Sequence, residues 1–242
     1  MALEKNHKNL AIMQPCFIPW CGYFFLILKS NIFVFLNKVK IEKNSWQTKN
    51  KILSKNGELY INVPIVGSRL QNIYDAKIDD NPKWRKKIIN TISQNYSKHP
   101  FFNLIEELII SDLENKEINH LHELNCNLIC KISRKLCFNT KFENDYEYEF
   151  RGNKSEKLKN ICKYFNSTNY ISPIGSKEYI ESELILKKNN INIKYLEVRK
   201  EIEYLQINNS KFSDNLSILD LIANIGVDGA LEYINKKYKF IE

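Results

Sequence analysis

A short apolar run, a helical stretch and a second apolar run near the amino end constrain this chain more than any other feature. Residues 10–14, closed by Pro15, read as a buried strand. Residues 22–28 read as an apolar helix that Asn31 ends, and the β-branched and aromatic run 32–36 reads as a second buried strand. Strand, helix and strand within about thirty residues form a right-handed βαβ unit, which requires a parallel sheet. An α/β fold is expected. The chain can fill it, since 43% of its 242 residues are hydrophobic and only 7 Gly and 6 Pro are present for linkers.

Residues 49–53 and 58–63 flank Asn56-Gly57, the strongest short-range signal for a β-hairpin. Leu59, Ile61 and Val63 alternate with Tyr60 and Asn62 as in a half-buried strand, and Pro64 closes it. From Pro82 the period turns helical, with Trp84, Ile88, Ile89, Ile92 and Tyr96 on one face. His99-Pro100 breaks that helix. Residues 102–113, 121–136 and 155–165 read as three more amphipathic helices. A short strand at Tyr170-Ile171, a helix over 177–186 and an alternating strand over 191–198 follow. Residues 216–222 and 229–235 are closing helices, joined around Gly226. The acidic and aromatic segment 144–150 is either a strand or an exposed connection. The expected organisation is a single α/β domain over 1–242. It has a parallel-sheet N-terminal βαβ unit, an inserted β-hairpin and a largely helical remainder, with a helical subdomain around 82–140.

Three stretches carry residues suited to chemistry. The first, residues 11–25, leaves the end of the first strand and enters the helix. Ligands of α/β folds sit at the carboxyl ends of strands, where helix amino ends supply free N–H donors. Gln14 offers a donor and an acceptor there, Pro15 bends the chain, and Trp20 and Tyr23 offer faces to a base or sugar. A Pro-bent connection packed with aromatics fits the same pattern. The second stretch, residues 38–51, places Lys40, Lys43, Lys49 and Lys51 around Trp46 and Asn50. That mixture suits a diphosphate with Trp46 as a stacking wall, or a solvated hairpin edge. In the third, residues 171–179, Ser172, Ser176 and Lys177 form a generic anion-binding turn without the P-loop pattern; Ser176 as a helix N-cap is the plainer alternative. Asp220 lies in an apolar helix, where it holds a cation or hydroxyl or is a satisfied structural carboxylate. Cys16, at a strand end, stands where a nucleophile could, or is a small apolar filler.

The formal charge of +8 suits anionic partners, although lysines spread along the whole chain also read as solvated faces. No zinc finger, RNP motif or basic recognition helix supports nucleic acid as a partner. No stretch approaches the ~20 apolar residues of a membrane span, and the amino end lacks the features of a signal peptide. A cytoplasmic protein is expected. Cys16, Cys21, Cys126, Cys130, Cys137 and Cys162 form no Cys-x-x-Cys pair, and His120 and His122 point to different helix faces. Reduced thiols and no metal site are expected. Neither a cofactor nor a catalytic residue is identified.

Taken in order, the motifs resemble the WbqC-like family of bacterial surface-polysaccharide gene clusters. The opening run is Met13-Gln14-Pro15-Cys16-Phe17-Ile18-Pro19-Trp20-Cys21-Gly22-Tyr23-Phe24. Trp46 with Asn50-Lys51 follows, then the Asn56-Gly57 hairpin ending in Val63-Pro64, and Trp84 through Gln94-Asn95-Tyr96. Ser155, Leu158, Tyr170-Ile-Ser172 with Lys177 and Tyr179, and residues 216–220 complete the likeness. Asn37, Lys38 and Lys40 stand where the family usually has an acidic pair and a Gln, Thr48-Lys49 replaces its Asn-Arg, and Cys16 its Tyr, Thr or Asn. A looser likeness, at fold level, is to nucleotidylyltransferase-like α/β proteins, without their His-x-Gly-His signature. The resemblance implies action on a nucleotide-linked sugar, often an amino sugar, in O-antigen and lipopolysaccharide biosynthesis. A transferase moving an acyl or aminoacyl group to the sugar amine, from an acyl donor or carrier protein, is the leading expectation. A non-catalytic scaffold of the same pathway and a nucleic-acid binder are the alternatives.

Overall fold

Strand β1 (Asn9–Met13) is the hub of the computed structural model, which describes residues 8–42, 45–67, 70–208 and 211–242. His7, Lys43 and the amino-terminal residues read for a signal peptide lie outside the described residues. Helix α1 (Cys21–Lys29) returns the chain to β2 (Ile32–Phe35), which pairs with β1 in parallel, Leu10 opposite Ile32. The βαβ unit is thus formed as its apolar pattern dictates. On the other side of β1 lies β6 (Asn169–Pro173), also parallel. The sheet has six strands in the order β5-β2-β1-β6-β7-β8, with β5 (Lys141–Asn144), β7 (Asn192–Val198) and β8 (Tyr238–Ile241). All pairings are parallel except β8 against β7.

Both faces of the sheet are covered, which explains the unbroken apolar runs. Ala11, Phe33, Phe35, Ile171 and Leu196 face one core with α1, α5 (Leu121–Lys135) and α9 (Ile218–Lys237). Leu10, Ile12, Val34, Ile193 and Tyr195 face the other, with Leu158, Ile161 and Cys162 of α6 (Ser155–Tyr164). The hairpin, β3 (Lys49–Ser54) and β4 (Gly57–Asn62), forms a separate two-stranded sheet. Ile61 and Val63 are buried as their alternation requires, but Leu59, nearer the hairpin tip, is 38% exposed.

Helix α2 (Lys83–Tyr96) buries Ile88, Ile92 and Tyr96. The helix expected over 102–113 consists of α3 (Phe102–Ile105), a π-helical turn (Glu106–Ile110) and α4 (Ser111–Glu114). The helix expected over 177–186 is split into α7 (Lys177–Glu183) and α8 (Ile185–Lys188), because Leu184 adopts φ 53°. Segment 144–150 is a connection with one 3-10 turn (Asp145–Glu147). The two closing helices lie end to end within α9 and meet at Gly226, whose φ of 71° and ψ of −169° are non-helical. Cys16, Cys21, Cys126, Cys130, Cys137 and Cys162 are all free thiols. No helix among the described residues is long and apolar enough to cross a membrane.

Candidate functional site

In a doubly wound sheet the connections from two neighbouring strands leave in opposite directions at one point, and a crevice opens at their carboxyl ends. Here that point lies between β1 and β6. A cleft of about 770 Å³ lies there, lined by Gln14, Trp20 and Tyr23 after β1 and by Ser172 and Ser176 after β6. The segment before the hairpin and the start of β3 close a third side with Ser45, Trp46, Gln47, Asn50 and Lys51.

Backbone and side-chain bonds zip the two loops together. Phe17 N donates to the Trp46 carbonyl at 2.9 Å. Asn50 Nδ2 donates to the carbonyls of Phe17 (2.9 Å) and Ile18 (2.7 Å). Asn125 of α5, fully buried, donates from Nδ2 to Pro15 (3.0 Å) and Gln47 (2.8 Å). Ile18 has φ 41°, a costly conformation for a β-branched residue, and its carbonyl also accepts from Ser217 Oγ at 2.8 Å. Strain of this kind persists where surrounding bonds over-determine it, and it clusters at ligand sites. Glycine at position 22 has a separate cause. A Cβ there would lie 2.3 Å from Trp20 Cη2, so the indole lies flat against the start of α1. Tyr238 meets it edge-on at 5.7 Å.

At the cleft mouth the Trp46 ring stacks on Tyr60, with centroids 6.5 Å apart at 27°, and Trp46 remains 47% exposed. Lys49 Nζ lies 4.9 Å from the centre of the Tyr60 ring. Lys51 bonds Glu58 at 2.8 Å. On the β6 side Ser172 Oγ and Ser176 Oγ are 2.6 Å apart, and Ser176 donates to the Pro173 carbonyl at 2.8 Å. Burial pushes the Cys16 thiol up to about 12, so it stays protonated at neutral pH.

The cleft brings together Gln14, Trp20, Tyr23, Trp46, Asn50, Lys51, Ser172 and Ser176 of the expected site residues. Pro15 is buried behind them. Lys40 is exposed and bridges to Asn72, Lys49 lies over Tyr60, and Lys177 reaches the Glu242 carbonyl at 3.2 Å. After β2, Asp145 accepts from Asn37 N (2.7 Å) and Lys38 N (3.0 Å), so a carboxylate that follows β5 serves the turn in which Asn37 and Lys38 stand. Glu42, Gln47, Tyr179 and Asn215 also line the cleft. No spacing rule singles out Gln47 or Asn215; each reaches the wall through non-local packing.

Asp220 lies elsewhere, fully buried in α9. It accepts from the hydroxyls of Tyr96 (2.8 Å) and Tyr204 (2.6 Å) and from Gln206 Nε2 (3.1 Å). Burial raises its pKa against these hydrogen bonds, which lower it. The native state therefore holds the Asp220 proton more tightly than the unfolded chain does. This group's contribution to stability falls as pH climbs above the ordinary carboxylate value of about 4. Urea midpoints measured across that range should decline less steeply for Asp220→Asn than for the wild type; parallel profiles would remove Asp220 as the cause.

The motifs now have their geometry: a Gln-Pro bend at the end of β1, an indole seated on Gly22, and an Asn50 brace. A model of the WbqC-like protein family matches residues 14–232, which is nearly the whole of this framework. The chain belongs to the WbqC-like protein family. It is 28% identical over 222 residues to the uncharacterized protein Rv1507c of Mycobacterium tuberculosis (strain H37Rv), covering 91% of this chain and 95% of that relative. No solved structure matches the chain. The family match begins at Gln14, the first residue of the bend that opens the cleft.

Proposed function

We propose that the cleft binds a nucleotide-linked amino sugar, and that this WbqC-like protein is a transferase moving an acyl or aminoacyl group to the sugar amine in surface-glycan biosynthesis. The observation that carries this reading is the switch-point cleft with the Trp46–Tyr60 stack at its mouth. A half-exposed indole already stacked on one ring extends naturally onto a nucleobase, and Lys51 is the cation on the wall, among the described residues, that a diphosphate can draw from Glu58. The volume suits a ligand of this size.

The amine lone pair attacks the carbonyl carbon of an activated acyl donor, such as a carrier-bound thioester. The C–N bond forms, the bond to sulfur breaks, and the amine proton passes to a base while the thiolate leaves and is protonated. Glu42, the one carboxylate on the cleft wall among the described residues, takes that proton in this reading.

Thermal unfolding against a panel of nucleotide sugars tests the proposal. A ligand present at ~100 times its Kd should raise Tm by roughly 5–10 °C. Trp46→Ala should weaken binding by ~1–3 kcal/mol, the worth of one base–aromatic stack. A flat panel at millimolar concentration would overturn the reading.

A further inference from the structure

The floor of the cleft holds a polarised chain of side chains. Ser45 Oγ donates to Gln47 Oε1, and Gln47 Nε2 donates to Gln14 Oε1. Gln47 is 1% exposed, and Asn125 holds its carbonyl. Gln14 is pinned as well, because its carbonyl accepts from the Tyr23 hydroxyl at 3.0 Å. With Gln14 Oε1 engaged by a buried donor, the end of the carboxamide left for the cleft is Nε2. Its two N–H groups have no partner among the described residues. Asn50, another carboxamide drawn to this loop, has no such freedom: Nδ2 serves Phe17 and Ile18, and Oδ1 accepts from Lys51 N.

A free glutamine offers a donor or an acceptor by turning its amide. A glutamine whose oxygen is held offers only donors. We propose that Gln47 is a positioning residue that locks Gln14 as a hydrogen-bond donor, so that the foot of the cleft takes a carbonyl oxygen and disfavours a free ammonium. This rests on the nucleotide-amino-sugar reading and specifies it: the group recognised beside β1 is an acyl carbonyl. Charge gathers on that oxygen as an amine attacks, and a donor aimed at it in advance stabilises the charged state without reorganising. An ammonium there meets two N–H groups and no acceptor from Gln14.

The test pairs the N-acetyl and free-amine forms of UDP-linked and dTDP-linked amino sugars, with binding measured by calorimetry. The wild type should prefer the N-acetyl form by about tenfold, the worth of one well-placed hydrogen bond. Gln47→Glu removes the donor at position 47. Its carboxylate accepts from Gln14 Nε2 and turns Gln14 Oε1 to the cleft, so the preference should reverse. Equal binding of both forms, unchanged in the variant, overturns the inference and leaves the nucleotide reading standing. Binding of neither form overturns both. Side-chain amide exchange in the unliganded wild type, followed by NMR, decides the polarity even if the variant misfolds. Slow exchange at the Gln47 amide and fast exchange at the Gln14 amide support the lock, and the reverse order overturns it.

Discussion

Asp220→Leu should cost about 3–5 kcal/mol, because the Tyr96 and Tyr204 hydroxyls lose their acceptor at once, while Gln206 keeps the Ser213 carbonyl. Oδ1 accepts from Tyr96, and Oδ2 from both Tyr204 and Gln206. Leucine resembles aspartate in length but accepts nothing. Each orphaned donor costs ~1–3 kcal/mol, and the sum is reduced by relaxation and by no longer burying a carboxylate. Against a typical stability of ~5–15 kcal/mol, this brings the protein close to unfolding. The loss should spread to the cleft. The Tyr96 hydroxyl also accepts from Leu53 N of the hairpin at 2.8 Å, and the same strand carries Asn50, the brace of the 15–18 loop. A urea midpoint within ~1 kcal/mol of wild type after this substitution would show that the two hydroxyls find other partners.

The part of the fold legible in the sequence is the part written in long or unbroken apolar patterns. The β1-α1-β2 unit is visible because both strands are buried on two faces and read as continuous apolar runs. The hairpin is visible because Asn56-Gly57 marks its turn. Strands β5 and β8 are not, because each has four residues, lies at a sheet edge and mixes lysine with aromatics. Such strands exist because a neighbour offers its edge. For the candidate site, the opening motif locates the bend after β1, and the strand-then-serine pattern locates the turn after β6. Residue type alone could not say where long side chains point. Lys49 and Lys177 lie near the expected segments in sequence yet turn to Tyr60 and the Glu242 carbonyl, and Lys40 is exposed on a strand-like bridge to Asn72. Asn125 was unreadable for the opposite reason. It is one polar residue on an amphipathic helix, and its role comes from two carbonyls more than 70 residues away in sequence.

Gly22→Ala sets two large effects against each other. Position 22 lies in helix α1, where alanine is ordinarily favoured over glycine by ~1 kcal/mol. The new methyl, however, would lie 2.3 Å from Trp20 Cη2 and 2.4 Å from Cζ3, so the indole cannot keep its seat. Because Trp20 also packs on Tyr238 and lines the cleft, its displacement disturbs one wall as well as the aromatic contact behind it. The expected result is a net destabilisation of about 1–3 kcal/mol, as for other overpacked sites, with nucleotide-sugar affinity reduced by about tenfold or more. A double-mutant cycle separates the two contributions. With Trp20→Ala already in place the three nearest obstacles to the methyl are gone, and the same Gly22→Ala change should then stabilise the protein by up to the helix-propensity difference. The two substitutions should therefore couple by more than ~1 kcal/mol, as contacting residues do. If Gly22→Ala costs the same in both backgrounds, the indole does not rest on the glycine, and the wall of the cleft is held in place by some other contact.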